Sequence, residues 1–361
     1  MSERKIVSLF TGAGGLDIGF AQAGFRTIWA NDLNRDACHT FTQNHGSGII
    51  QHGPLQAFLP RLTLSMAADL LIGGPPCQGF SVAGYMDMND PRSELVFTYM
   101  KVLRQLRPRA FVLENVKALA SLDKFRPIRE RLLREAREAG YDVKLTVVRA
   151  SDFGVPQARE RMLIVGFSNH SAIDFCAHLE TQRSAAPTLR QSIAHLGPAG
   201  SATNARVCNA RVTIATRPIL RASPYAGMLF NGQGRPLDAD GYASTLPASM
   251  GGNRTPVVDE EQLYGDGSTW VTGYHANLIN GGKPLATKYA PSRMRRLTLD
   301  EAAAIQTFPA DYEFMGRSSS VYAQIGNAVP CELARRIATS VSAVLGGYRS
   351  NRMTDQNRLV A

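Results

Sequence analysis

Ile6-Val-Ser-Leu-Phe10-Thr-Gly12-Ala-Gly14-Gly15-Leu16-Asp-Ile-Gly-Phe20-Ala-Gln-Ala23-Gly24 lies at the start of the chain and sets its fold. The apolar run at 6–10 predicts a buried strand and the glycines at 12–15 a turn. Leu16, Phe20 and Ala23 form the stripe of a helix that stops at Gly24. A second strand is expected at 27–30, and Asp32 ends it about 20 residues after the first glycine, from where a carboxylate accepts hydrogen bonds from ribose hydroxyls. Glycines between a strand and a helix let a ligand approach the backbone and the helix start. Asp17 occupies the third glycine position of the dinucleotide fingerprint, so a nucleoside cofactor without a pyrophosphate fits better than a nicotinamide dinucleotide. A glycine turn needed only for tight strand-helix packing would carry the same signature.

Outward from this unit the pattern repeats. Strands are expected at 69–72, 110–113, 143–147 and 162–167. Between them Leu95, Tyr99, Leu103 and Leu106, then Ile128, Leu132, Ala136 and Ala139, follow the helical period. Such alternation predicts an α/β fold, a parallel sheet with helices on both faces. From 170 to 290 the texture changes to Gly, Asn, Ser, Pro and Thr clusters without a long helical stripe, which predicts a separate, irregular module. Helical order returns with the capping box Thr298-Leu-Asp-Glu301, and Pro330 opens a last helix striped by Leu333, Ile337, Val341 and Val344.

Hydrophobic residues make up 44% of the 361 and charged residues 19%, and no apolar run is long enough for a membrane span. The polar residues 1–5 lead straight into the first strand, so no signal peptide and a cytoplasmic location are expected. Five scattered cysteines without a CxxC pair, and no clustered histidines, argue against a disulfide framework and a metal site. The formal charge of +10 suits a polyanionic partner, and equally a basic enzyme with a solvated surface; it is spread along the chain, with no basic tail.

Three segments carry chemistry. Gly73-Gly-Pro-Pro-Cys77-Gln78-Gly-Phe-Ser81 follows a buried strand, so its cysteine emerges at the carboxyl edge of the sheet, where ligands bind in open α/β folds. Phe111-Val-Leu-Glu114-Asn115-Val116 repeats that geometry with a carboxylate. Neighbouring strands lie about 5 Å apart, which brings Cys77 and Glu114 to one pocket if these two are neighbours. Gln157-Ala-Arg159-Glu-Arg161 precedes another strand, and alternation puts Gln157, Arg159 and Arg161 on one face. A solvated edge strand is the plainer reading of that last segment.

These blocks, with Arg296-Leu-Thr-Leu-Asp-Glu301, Gln306 to Pro309 and Gln324-Ile-Gly326-Asn327-Ala328-Val329-Pro330, occur together and in order, and the chain resembles the DNA cytosine-5 methyltransferase family. The resemblance spans nearly everything except 170–290, the position of the family's variable target-recognition domain. It implies a Rossmann-like S-adenosylmethionine-dependent methyltransferase sheet, with a catalytic domain of 1–170 plus 290–361 and a small irregular, β-rich recognition domain at 171–289. Cys77 is implied as the nucleophile, Glu114 as the partner of cytosine nitrogen 3, and Arg161 and Arg159 as supports of the glutamate and the cytosine carbonyl. Phe10, Gly12, Gly14, Asp32, Asn327, Ala328 and Val329 are implied around the cofactor. Contacts to double-stranded DNA are expected from Gln78, Ser81, Arg92 and Gln157, and in the variable module from Thr245, Leu246, Asn253 and Arg254. The last two could read adenine and guanine edges, or form a glycine turn with an arginine on phosphate.

Two positions depart from the family pattern: Ser8 stands where an acidic residue is common, and Gly53-Pro54-Leu55 lacks the acid that contacts the adenine amino group. A tRNA substrate and a catalytically silent DNA-binding regulator are the alternatives. The implied setting is restriction and modification, with a monomeric enzyme and a cognate endonuclease that shares its site without a stable complex.

Overall fold

The computed structural model describes residues 3–76, 94–265 and 269–358, with side chains through position 346. Cys77, Gln78, Ser81 and Arg92 lie outside the described residues. The chain divides into two compact units, 1–153 with 160–184 and 329–361, and 154–159 with 185–328.

The first unit is built on seven strands: β1 (Arg4–Leu9), β2 (Phe25–Asp32), β3 (Ile50–His52), β4 (Leu70–Gly73), β5 (Ala110–Val116), β6 (Asp142–Arg149) and β7 (Glu160–Phe167). They are ordered β3-β2-β1-β4-β5-β7-β6, with β7 antiparallel to both of its neighbours and β1 to β5 paired in parallel. The order reverses direction between β1 and β4, so the switch point of the sheet lies where β1 enters the glycine turn and β4 enters Gly74-Pro75-Pro76. Register keeps these ends level: Leu9 pairs with Gly73, and Gly73 with Leu113. Phe10 and Gly74 therefore leave the sheet level with Glu114, which β5 carries on beside β7.

Helices cover both faces, as apolar strands without a polar side require. Val7, Leu9, Leu71, Phe111 and Leu113 pack against Tyr99 and Leu103 of α3 (Leu95–Leu106) and Leu132 of α5 (Arg126–Glu138). The alternate residues Ile6, Leu70, Ile72 and Val112 are equally buried. α1 (Gly15–Gln22) packs on α12 (Cys331–Arg358) so closely that a side chain at Gly19 would overlap Ala334 and the Arg335 backbone. α2 (Arg35–His45), capped by Asn34, α4 (Lys117–Ser121) and α6 (Ala172–Thr181) complete the unit.

In the second unit the strands form two separate antiparallel pairs, β8 (Ile214–Ile219) with β9 (Met228–Phe230) and β10 (Val257–Asp259) with β11 (Met294–Arg296). The helices are α7 (Leu189–Ile193), α8 (Glu260–Tyr264), α9 (Trp270–Ile279), α10 (Leu299–Ile305), which carries the expected capping box, and α11 (Ser318–Asn327). Val212, Leu229, Phe230, Val271, Tyr274, Leu278 and Met294 form a core of its own.

Two expectations are corrected. The stretch 170–290 does hold regular helices, α6 and α9; the stripe of α9 is carried by Trp270, Val271, Tyr274 and Leu278 and diluted by Gly273 and Asn277. The strand at Arg161 begins only at Glu160, because the Arg159 N–H donates back to the Gln157 carbonyl at 2.8 Å in a tight turn. Gln157, Arg159 and Arg161 therefore do not share one strand face.

Candidate active site

Glu114 and Arg161 meet across the β5–β7 pair. The antiparallel register sets Glu114 opposite Leu163 and Val116 opposite Arg161, so Arg161 is the diagonal neighbour of Glu114 on the same face. Arg161 Nε stands 2.8 Å from Glu114 Oε1, an ion pair whose N–H is not aimed at that oxygen. Both side chains are largely withdrawn from solvent. The Arg161 Nη1 group donates to the Glu160 carbonyl at 2.7 Å, which fixes the guanidinium plane. Among the described residues, Glu114 Oε1 is thus buried, charge-compensated and without a hydrogen-bond donor, a form suited to a polar ligand that supplies one.

The turn after β4 is fitted to that carboxylate. A β-carbon at Gly74 would lie 2.9 Å from Glu114 Oε2, so glycine leaves the carboxylate the room it occupies here. Asn115 fastens the turn: its Nδ2 donates to the Pro75 carbonyl at 3.0 Å, and its Oδ1 accepts from the Val116 N–H at 2.9 Å. Asn115 is buried, and it orients the segment two residues before Cys77. Sequence reasoning quoted Asn115 as part of a motif without giving it a task; its adjacency to Glu114 was the available signal.

At the other side of the switch point the chain turns through Phe10, Gly12 and Gly14, all with left-handed backbone (φ 54°, 56° and 80°). The Gly12 N–H donates to Asp32 Oδ2 at 2.8 Å and the Asn34 N–H to Oδ1 at 2.7 Å, and the Leu33 N–H also favours the anion. Burial raises the Asp32 carboxyl above the ordinary aspartate value, and the N–H groups of Asn34 and Gly12 work against that rise. Beneath the turn, Asp17 is buried and accepts from Ser8 Oγ at 2.9 Å, Thr27 Oγ1 at 2.8 Å and Thr11 Oγ1. Ser8 and Asp17 are therefore partners, which accounts for a hydroxyl at position 8 and for a carboxylate in place of the third glycine.

The profile of the C-5 cytosine-specific DNA methylase family matches residues 4–343. The chain belongs to this family. The type II methyltransferase M.NgoFVII of Neisseria gonorrhoeae is 33% identical over 346 residues, which cover 93% of this chain and 86% of the relative. M.FnuDI of Fusobacterium nucleatum is 33% identical over 353 residues, covering 94% and 95%. The solved structure of the Entamoeba histolytica methyltransferase EhMeth shares the fold with a TM-score of 0.68 at 15% identity, covering 96% of this chain and 99% of that one. As a member of the family, this methylase transfers a methyl group from S-adenosylmethionine to carbon 5 of cytosine in DNA.

The first unit suits that cofactor. Among the described residues, and beyond its own chain neighbours, nothing lies within 4 Å of where a Gly12 β-carbon would stand, so the turn leaves open space beside its backbone. Asp32 stands beside that turn as a hydrogen-bond acceptor, and α1 follows its N-cap Gly14 without a side-chain cap, which leaves N–H groups at its start for a polar ligand. Gly53 and Pro54 are held at the end of β2, where Asn31 Nδ2 donates to the carbonyls of Gln51 and Gly53. The Pro54 carbonyl accepts from the Ala57 N–H at 3.0 Å, which starts the turn that follows.

The remaining sequence-derived residues fall in varied settings. Val329 belongs to the first unit, Asn327 and Ala328 to the second. In the second unit Gln157 is fully buried; its Nε2 donates to Gln306 Oε1 at 3.0 Å and its Oε1 accepts from the Leu246 N–H at 3.1 Å. Arg159, also buried, donates from Nη1 to the Gly326 carbonyl at 3.1 Å. A β-carbon at Gly326 would lie 2.5 Å from the Pro247 carbonyl oxygen, so α11 packs directly on the Thr245-Leu246-Pro247 segment. Leu246 is buried while Thr245, Asn253 and Arg254 are exposed. Gln306, which ties Gln157 to the Ile325 and Ala328 carbonyls, is a positioning residue that sequence reasoning quoted only as the edge of a motif.

Proposed function

We propose that this methylase acts as the modification enzyme of a type II restriction system, methylating one cytosine of a defined duplex sequence through a covalent Cys77 adduct. The observation that carries the reading is the buried Glu114–Arg161 pair, held by Gly74 and by the Asn115–Pro75 hydrogen bond to the turn that leads into Cys77.

Carbon 5 of cytosine is a weak nucleophile, so electron density must be raised there first. The Cys77 thiolate adds to carbon 6, and the ring electrons move toward nitrogen 3. Glu114 holds a proton or hydrogen bond at that nitrogen and stabilises the developing charge, and Arg161 holds the glutamate and supports the cytosine carbonyl oxygen. Arg159 is assigned a supporting part through the Gly326 segment. When bound, S-adenosylmethionine supplies an electrophilic methyl carbon, held by Phe10, Gly12, Gly14 and Asp32, with Asn327, Ala328 and Val329 closing over it. Loss of the carbon 5 proton to water and expulsion of the thiolate return Cys77 to its starting state. The cytosine reaches the thiol only when flipped out of the duplex, at about a few kcal/mol, and Gln78, Ser81 and Arg92 are assigned to the DNA around it.

Sequence choice is assigned to 171–289, with Thr245, Leu246, Asn253 and Arg254 as the segment nearest the bases and Gln157 positioning Leu246 from beneath. The catalytic part is 1–170 with 290–361. We place the enzyme in the cytoplasm as a monomer, with a cognate endonuclease acting on the same sequence and no stable complex between them.

Bisulfite sequencing of a methylation-free host expressing the protein tests this reading. One short motif should be protected at a single cytosine throughout the genome, and the protection should vanish with Cys77→Ala. Unprotected DNA together with methyl transfer to tRNA would overturn it.

A further inference from the structure

Arg211, Lys288 and Tyr289 form a cluster of the second unit to which the reaction gives no task. The segments that carry them are paired: the Ile214 N–H donates to the Lys288 carbonyl and the Ala290 N–H to the Val212 carbonyl, both at 3.1 Å, with Thr213 opposite Tyr289. Alternation buries Val212 and Ile214 in the core of the unit and turns Arg211 and Thr213 to the side of Tyr289. The Arg211 guanidinium lies 3.5 Å from the centre of the Tyr289 ring, and the Lys288 ammonium 5.4 Å from the same ring.

Two cations on one ring repel each other, and here nothing acidic answers them. Among the described residues no carboxylate stands within ion-pair distance of either, and the segments come from 206–237 and 269–299, which contain no Asp or Glu. Stacking occupies the face of the guanidinium and leaves its in-plane N–H donors without an acceptor among the described residues, pre-oriented by the ring at low entropic cost. A doubly cationic, rigidly backed and exposed site of this kind is complementary to a phosphodiester.

We propose that Arg211 and Lys288, with Tyr289 as the platform, clamp a backbone phosphate of the DNA, fixing the register of the recognition module without reading sequence. This rests on the reading of the chain as a DNA methylase.

The test measures duplex affinity across a salt series by fluorescence anisotropy, for a duplex carrying a site that the wild type methylates and for a cytosine-free dA·dT duplex. Arg211→Gln and Lys288→Gln should each weaken both duplexes by the same factor, about 3- to 10-fold, and lower the slope of log K against log salt by about 0.9. Tyr289→Leu should match Arg211→Gln and add nothing in the double variant, while Tyr289→Phe retains affinity. Unchanged slopes with folded variants, or a loss confined to the methylated site, would overturn the clamp alone. A wild type that methylates no duplex would overturn the underlying reading as well.

Discussion

The parts proposed for Glu114 and Arg161 differ, and substitutions should separate them. Glu114→Gln keeps the shape beside Gly74 but removes the acid, and kcat should fall by about 10²–10⁴-fold with DNA affinity retained. Arg161→Ala should lower kcat by about 10²–10³-fold and also destabilise the fold, because it leaves the buried Glu114 carboxylate uncompensated. Single-turnover methyl transfer and thermal melting of the two variants check this. Asp32 carries a pH signature. Its carboxyl is held above the ordinary value of 3.8 by burial, and the anion is the form that accepts from hydroxyls. Cofactor affinity should therefore begin to fall on acidification at a higher pH than an ordinary aspartate would give. Asp32→Asn should flatten that limb while weakening binding by about 1.5–3 kcal/mol, as calorimetric titration over about pH 4–7 would show.

At the scale of elements, the two close approaches of glycine predict opposite outcomes. At Gly74 the obstacle to a β-carbon is the far end of the Glu114 side chain, so Gly74→Ala should fold with nearly unchanged melting and lose activity as the carboxylate is pushed aside. At Gly326 the obstacle is the Pro247–Ala248 backbone, so Gly326→Ala should cost about 1–3 kcal/mol and displace the Thr245–Leu246 segment. Melting curves beside specific activities distinguish the two. The strand, glycine turn and helix at residues 6–24 could be read from the sequence because local pattern dictates them, and so could the capping box at Thr298. What could not be read is tertiary wiring. Asn115 reaches Pro75 across 40 positions and Gln157 reaches Gln306 across 149. The turn that removes Gln157 and Arg159 from the β7 face is made by one backbone hydrogen bond that no periodicity announces.

Over the whole molecule, the sheet order places the glycine turn after β1 and Glu114 of β5 on either side of β4, while the second unit keeps a core of its own. Among the described residues no helix is long and apolar enough to cross a membrane. The cysteines also differ in kind. Burial pushes the Cys38 thiol up to about 12 and raises Cys176 and Cys331 as well, so these three stay protonated at neutral pH. That leaves the nucleophile to be identified chemically. Duplex DNA bearing 5-fluorocytosine at the methylated position, incubated with S-adenosylmethionine and the enzyme, traps the adduct because fluorine cannot leave as the carbon 5 proton does. A covalent complex whose digest carries the nucleotide on the Cys77 peptide, and which is absent in Cys77→Ala, is the predicted result. A complex that persists in Cys77→Ala, or none with enzyme that methylates the unmodified duplex, would contradict the mechanism.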